Sequence, residues 1–164
     1  MDSPSEWVAR WAARVERGPV LDVAAGGGRH SRLFRDLGFE VVAVDREPSV
    51  LEKVRSVKAD LENGAPWPFE GQRFGGIVVT NYLHRPLFPK LVESLEEGGV
   101  LIYETFMQGN ERFGRPSNPD FLLQPGELLK VFASLQVLGF EEGPVERPKP
   151  AVIQRICAAR GPKR

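Results

Sequence analysis

The stretch Val20-Leu21-Asp22-Val23-Ala24-Ala25-Gly26-Gly27-Gly28-Arg29-His30, closed by Val41-Val42-Ala43-Val44-Asp45, reads as strand, glycine loop, helix, strand and terminal acid. Half of a nucleotide-binding fold is written there. Three adjacent glycines let the backbone take positive φ and approach a ligand without interference from Cβ, while the helix that follows aims its free N–H groups at the same point. A cofactor is therefore expected on this loop.

The rest of the chain extends the pattern. Ser3 as a cap, Pro4 at the first helical position and Glu6 three residues after the cap predict an opening helix, with Trp7, Val8, Trp11 and Val15 at helical spacing. Strands are expected over 20–24, 40–44, 56–59, 76–80 and 100–104, and helices over 29–37, 48–54, 86–95 and 125–135. The second strand is apolar on both faces, as in a parallel strand covered by helices on each side. Prolines and glycines crowd residues 61–74 too closely for a crossover helix, which predicts a loop pinned by Trp67 and Phe69. Residues 106–123 form a second long loop, of the kind that serves as a lid or binding segment. The last strands, 137–146 and 151–159, are joined too briefly for a crossover and so are antiparallel, and 160–164 is expected to be a disordered tail. The sum is an α/β, Rossmann-like, seven-stranded and mostly parallel sheet with an antiparallel C-terminal strand and helices on both faces, in one domain over 1–164. Right-handed crossovers bring Gly26, Asp45, Asp60 and Asn81 to one edge of that sheet.

Composition narrows the partners. Lys and Arg total 22 against 22 Asp and Glu, so no global field holds nucleic acid or an anionic membrane. A small-molecule substrate is expected instead. The lone Cys157 lies in an apolar run and reads as core packing, with no disulfide and no metal site. No apolar run approaches the roughly 20 residues of a membrane span, and Asp2 and Glu6 stand where a signal peptide is basic, which makes the cytoplasm the expected compartment.

A dinucleotide fingerprint needs Gly-x-Gly-x-x-Gly and an acid about 20 residues on. Gly26, Gly28 and Asp45 fit and Ser31 replaces the third glycine, so NAD survives that comparison. Asp22 argues against it. A carboxylate inside a central strand is costly to bury unpaired and repels a pyrophosphate lying on the glycines. It favours a cationic ligand, and S-adenosylmethionine carries an ammonium and a sulfonium beside an adenosine, with no phosphate.

Asp22-Val23-Ala24-Ala25-Gly26-Gly27-Gly28 resembles the first motif of the class I S-adenosylmethionine-dependent methyltransferases, where an acid opens a loop of small residues and glycines. Asp45 and Asp60-Leu61 match that family's next two positions, and the resemblance runs over essentially the whole chain. Within the family, the compact layout and Tyr103-Glu104-Thr105-Phe106 resemble the small bacterial branch that includes tellurite-resistance-type methyltransferases. Ala24 departs from a common glycine, and Gly75-Gly76 stands where an acid often precedes the fourth strand. The resemblance implies S-adenosylmethionine as cofactor, with Gly26, Gly28 and Ala24 near its methionine part, Asp45 on the ribose hydroxyls, and Asp60 and the Leu61 N–H on the adenine. Asp22, Arg29, Arg46 and the Asn81 carbonyl complete the expected cofactor contacts.

In-line methyl transfer asks the protein mainly for alignment and desolvation, with a base only where the nucleophile must lose a proton. His84, Tyr82 and Tyr103 are the candidate catalytic residues, at the ends of the fourth and fifth strands. His84 leads because an unperturbed imidazole titrates at about 6.5. Arg112, Phe113, Arg115 and Phe121 in the long loop suit a planar or anionic substrate, and the Trp7–Trp11 face suits either a cap on the pocket or packing on the sheet. Two other readings stand beside methyl transfer: a non-catalytic cofactor-binding or scaffold protein of the same fold, and an NAD-dependent oxidoreductase.

Overall fold

The computed structural model describes residues 3–161; the expected tail beyond Gly161 lies outside the described residues. Its strands are β1 (Val20–Val23), β2 (Val41–Asp45), β3 (Val54–Lys58), β4 (Phe74–Thr80), β5 (Leu95–Phe106), β6 (Gln136–Val145) and β7 (Ala151–Ala159). They join in one sheet of order β3-β2-β1-β4-β5-β7-β6, parallel throughout except for β7, which runs antiparallel to both neighbours. Successive residues of a strand point to opposite faces, so each face carries its own core. On one, α1 (Glu6–Trp11) and α2 (Arg29–Asp36) bring Trp7, Val8 and Phe34 onto Val20, Val78 and Ile102. On the other, α3 (Phe88–Glu93), α4 (Glu127–Val131) and the Trp67–Phe69 loop cover Leu21, Val79, Leu101 and Ile156.

Several local expectations are corrected. Ser5, not Ser3, caps α1, its hydroxyl accepting from the Val8 N–H at 3.3 Å. No helix forms over 48–54: Leu51 drops against Gly28, Lys53 turns with φ of 60°, and Val54 already pairs with Val41. The helix expected over 125–135 shrinks to α4, because Gly126 starts it in the left-handed region and Phe132 and Leu135 turn into the core. Arg160 is fastened where the sequence suggests a loose tail. Its backbone exchanges hydrogen bonds with Gly98 and Gly99 at 2.9 Å, and its guanidinium reaches the Val92 and Leu95 carbonyls.

Gly75 and Gly76, which the structure places inside β4 and not before it, have a steric cause. A Cβ on Gly75 would overlap the Arg17 carbonyl oxygen, and one on Gly76 would press on Val15. The chain leaving α1 therefore crosses close over the start of β4, which fixes the helix against the sheet.

Candidate active site

The glycine loop is shaped by its backbone. Ala24, Gly26 and Gly28 have φ of 55°, 55° and 84°, and the Gly28 N–H closes a turn onto the Ala25 carbonyl at 2.9 Å. Holding a non-glycine residue such as Ala24 there costs on the order of 1 kcal/mol or more. The glycines do different work. Space beyond Gly26 and Gly27 is open, so ligand can approach, whereas a Cβ on Gly28 would overlap Leu51. Asp45 ties the loop to β2, its two oxygens accepting from the Gly26 N–H at 3.2 Å and the Glu47 N–H at 3.0 Å. Each oxygen keeps acceptor capacity for a further donor.

Two adjoining recesses make the cleft. One is lined by Ala24, Ala25, Gly26, Gly27, Arg29, Arg32, Thr80 and Asn81, the other by Asp45, Arg46, Glu47, Lys58, Ala59, Asp60 and Asn63. Of the expected cofactor residues, Ala24, Gly26, Arg29, Asp45, Arg46, Asp60 and Asn81 meet there, while Asp22 and Gly28 are buried and, with Leu61, do not line it. Asn81 is held with φ of 54°, its N–H donating to the Glu104 carbonyl at 2.9 Å. Lys58, Thr80 and Arg32 escaped the sequence reading, although the first two end strands and so fall on the ligand edge.

Beneath the loop sit two buried titratable groups, each 2% exposed. Asp22 Oδ2 accepts from the Ser31 hydroxyl at 2.7 Å. Burial pushes its carboxyl up to about 6, against the pull of Ser31 and Arg29. His30 Nε2 accepts from the Ser5 N–H at 3.0 Å, which leaves the ring proton on Nδ1, 3.4 Å from Thr80 Oγ1. Burial, helped by Arg29, lowers this imidazole to about 3. Arg29 also donates to the Ser3 carbonyl at 3.1 Å, and the Ser5 hydroxyl to Glu104 at 2.8 Å. The residues after the glycines thus grip the N-terminal segment. Trp7 packs on the sheet and does not cap the cleft: its indole N–H donates to the Ile156 carbonyl, and Arg10 and Arg155 lie 5.2 and 5.1 Å from its ring.

The candidate catalytic residues divide. Tyr103 is 1% exposed among Phe88 and Phe132, and its hydroxyl donates to the Tyr82 carbonyl at 2.7 Å. Burial pushes that hydroxyl far up, so it serves the core and moves no proton at neutral pH. Tyr82 and His84 do come together, around Glu62. Tyr82 donates to Glu62 Oε2 at 3.2 Å, and His84 Nδ1 stands 3.6 Å from Oε1. Burial and then the Glu62 charge raise the Tyr82 hydroxyl. Glu62 sits in a segment that reads only as connector, and no local pattern signals it.

Next to His84, Arg85 grips Glu127 with two bonds of 2.7 and 3.0 Å and donates to the Asp120 and Leu122 carbonyls. Burial raises Glu127, but the hydrogen bonds from Arg85 and the Gln124 N–H outweigh it and hold this carboxyl below its usual value. The long loop is pinned at its base, where Asn110 accepts from the Val152 N–H and donates to the Pro116 carbonyl. Phe113 and Phe121 remain about half exposed at its tip.

The methyltransferase domain family matches residues 21–102, half of the chain, from β1 through the middle of β5. The chain belongs to the class I S-adenosylmethionine-dependent methyltransferases. Solved methyltransferases share its fold. TehB from Haemophilus influenzae aligns with a TM-score of 0.79 at 17% identity over 98% of this chain, which spans 63% of TehB. A methyltransferase from Methanosarcina mazei gives 0.71 at 14% identity, over 99% of this chain and 100% of that one. The 1,6-didemethyltoxoflavin-N1-methyltransferase of Burkholderia thailandensis, solved with 1,6-didemethyltoxoflavin and S-adenosylhomocysteine, gives 0.67 at 21% identity, covering 93% of this methyltransferase and 76% of that enzyme. No curated protein sequence matches significantly.

Proposed function

We propose that this protein, as one domain over 1–164, transfers a methyl group from S-adenosylmethionine to a small molecule in the cytoplasm. The observation that carries the reading is the cleft itself: a backbone cradle with open space at Gly26, a buried carboxylate at Asp22 below it, and acids at the ends of β2 and β3. Such a donor set fits a cationic amino acid joined to a nucleoside and disfavours a pyrophosphate. Asp45 would hold the ribose hydroxyls, Asp60 and the Leu61 N–H the adenine, and Arg46 the rim beside them. Ala24, Gly26, Gly28 and the Asn81 carbonyl would surround the methionine part, with Arg29 near its carboxylate and Asp22 beneath its ammonium. When bound, the cofactor supplies a methyl group already activated by its sulfonium.

A small acceptor is favoured by the balanced charge of the chain, which offers no global field to hold a polyanion. His84 is the proposed proton acceptor and Tyr82 its neighbour; Tyr103 is left to the core. Calorimetry with S-adenosylhomocysteine and NADH tests the reading. Binding of S-adenosylhomocysteine with none of NADH supports it, and equal or tighter binding of NADH overturns it. Binding without formation of S-adenosylhomocysteine from S-adenosylmethionine across a panel of nucleophiles would favour the scaffold role.

A further inference from the structure

We propose that Glu62 is the positioning residue for His84, holding the ring as the Nδ1–H tautomer so that Nε2 is left to accept the proton of the incoming nucleophile. The proposal rests on the methyltransferase reading above. Glu62 reaches from the loop after β3 to the segment after β4, and its carboxylate meets two side chains there. Oε2 accepts from the Tyr82 hydroxyl at 3.2 Å, and Oε1 lies 3.6 Å from His84 Nδ1. The reach is supported from behind, since the Glu62 N–H donates to Asp60 Oδ1 at 2.9 Å. A carboxylate only accepts, so the Glu62 charge beside Nδ1 favours the tautomer that carries its hydrogen there, and any bond between the two requires it.

His84 itself is mounted on a fixed segment. Its carbonyl accepts from the Leu87 N–H at 3.0 Å, and the adjoining Arg85 is bound to Glu127. The side chain is 24% exposed, and among the described residues Nε2 makes no hydrogen bond. The Nδ1 to Oε1 gap exceeds hydrogen-bond length, and contacts of this kind commonly tighten when the reacting complex assembles. Tyr82 is a poor base, because burial and then the Glu62 charge keep its hydroxyl protonated. For an acceptor protonated on oxygen or nitrogen, the proton moves to Nε2, the freed pair bonds the methyl carbon, and the methyl–sulfur bond breaks with its pair left on sulfur. The imidazolium then faces the Glu62 carboxylate until it loses its proton to solvent.

Ring nitrogen chemical shifts of the ¹⁵N-labelled protein in alkaline buffer report the tautomer directly. The chain has two histidines, so His84→Gln assigns both. His84 is expected to carry its hydrogen on Nδ1 in the wild type and in Glu62→Gln, whose amide oxygen still accepts, and to revert to the Nε2–H form favoured in water in Glu62→Ala. His30, held by the Ser5 N–H, stays Nδ1–H in every variant and reports that the fold is intact. An Nε2–H ring at His84 in the wild type, or no change in Glu62→Ala, overturns the proposal. Calorimetry with S-adenosylhomocysteine separates it from the reading beneath. Equal affinity of wild type and Glu62→Ala supports positioning, and a drop of about tenfold or more would make Glu62 a cofactor contact instead. No binding by the wild type overturns the methyltransferase reading and the proposal with it.

Discussion

At the ends of β1 and β2 the cleft wall is main chain, turned through positive φ at Ala24 and Gly26 and tied to one side chain, Asp45. Beyond β4 and β5 the structure is tied by side chains delivered from segments far apart in sequence: Glu62 onto Tyr82 and His84, Glu127 onto Arg85. The first region specifies its ligand through backbone shape, which glycine and small residues set locally. The second specifies through long-range contacts, any one of which a single substitution can reset while the cradle stays as it is. On the proposed reading, the cofactor sits with the first region and the acceptor with the second.

That division can be broken most forcefully at Asp45. Asp45→Ala removes the tie to the loop together with the proposed ribose contact. At about 1.5–3 kcal/mol per charged hydrogen bond, S-adenosylhomocysteine affinity should fall at least tenfold in calorimetry. An unchanged dissociation constant would show that the backbone cradle is not the adenosine site.

Asp22 comes next in expected size. Its pKa rises from 3.8 unfolded to about 6 folded, so the folded state binds the proton more tightly and stability is lost as pH rises through that window, by about 3 kcal/mol at completion. Asp22→Asn should therefore unfold at higher denaturant than the wild type at pH 8, converge with it near pH 4, and bind S-adenosylhomocysteine more weakly. Weaker folding at pH 8 would mean that the carboxylate supports the fold on its own account.

His30 opposes it. Its folded value of about 3 lies below the ordinary 6.5, so its contribution is complete above pH 6.5 and is lost as pH falls, by about 2 kcal/mol at pH 5. Between pH 6 and 4 the two groups nearly cancel. Urea titrations of His30→Gln across that range should uncover a gain of stability on acidification that the wild type hides, and a flat profile in the variant would refute the opposition.

The smallest effect is expected at Arg85, whose side chain is 39% exposed against 14% for Glu127. Screening at the guanidinium reduces the loss in Arg85→Met to about 1–2 kcal/mol. Amide exchange in this variant should quicken over 119–127 and stay unchanged in the glycine loop. Equal quickening in both would show that the two regions are one mechanical unit.

The same contrast governs what the sequence revealed. The strands and their mostly parallel arrangement were legible because apolar runs, the glycine loop and the strand-end acids are local signals, and β7 was anticipated residue for residue. Glu62 was not legible, since its role is created only when the loop after β3 passes the end of β4. Tyr103 was misread for a related reason. Position at the end of a strand brings a residue to the ligand edge, but which face it takes follows from pairing, and this ring faces Phe88 and Phe132. Helix lengths failed where tertiary packing overrode propensity, at Leu51 against Gly28 and at Phe132 in the core.

The strand order carries a consequence for synthesis. β7, which follows the other six described strands in sequence, lies between β5 and β6, which cannot pair with each other without it. Until residue 159 has emerged, the nascent chain presents two open strand edges, the inner one flanked by the most apolar part of the sheet. Unpaired edges of this kind invite association with other chains. Pairing of β5, β7 and β6 is thus deferred until residue 159 has been made, while β1 to β4, complete by residue 80, can pair well before it.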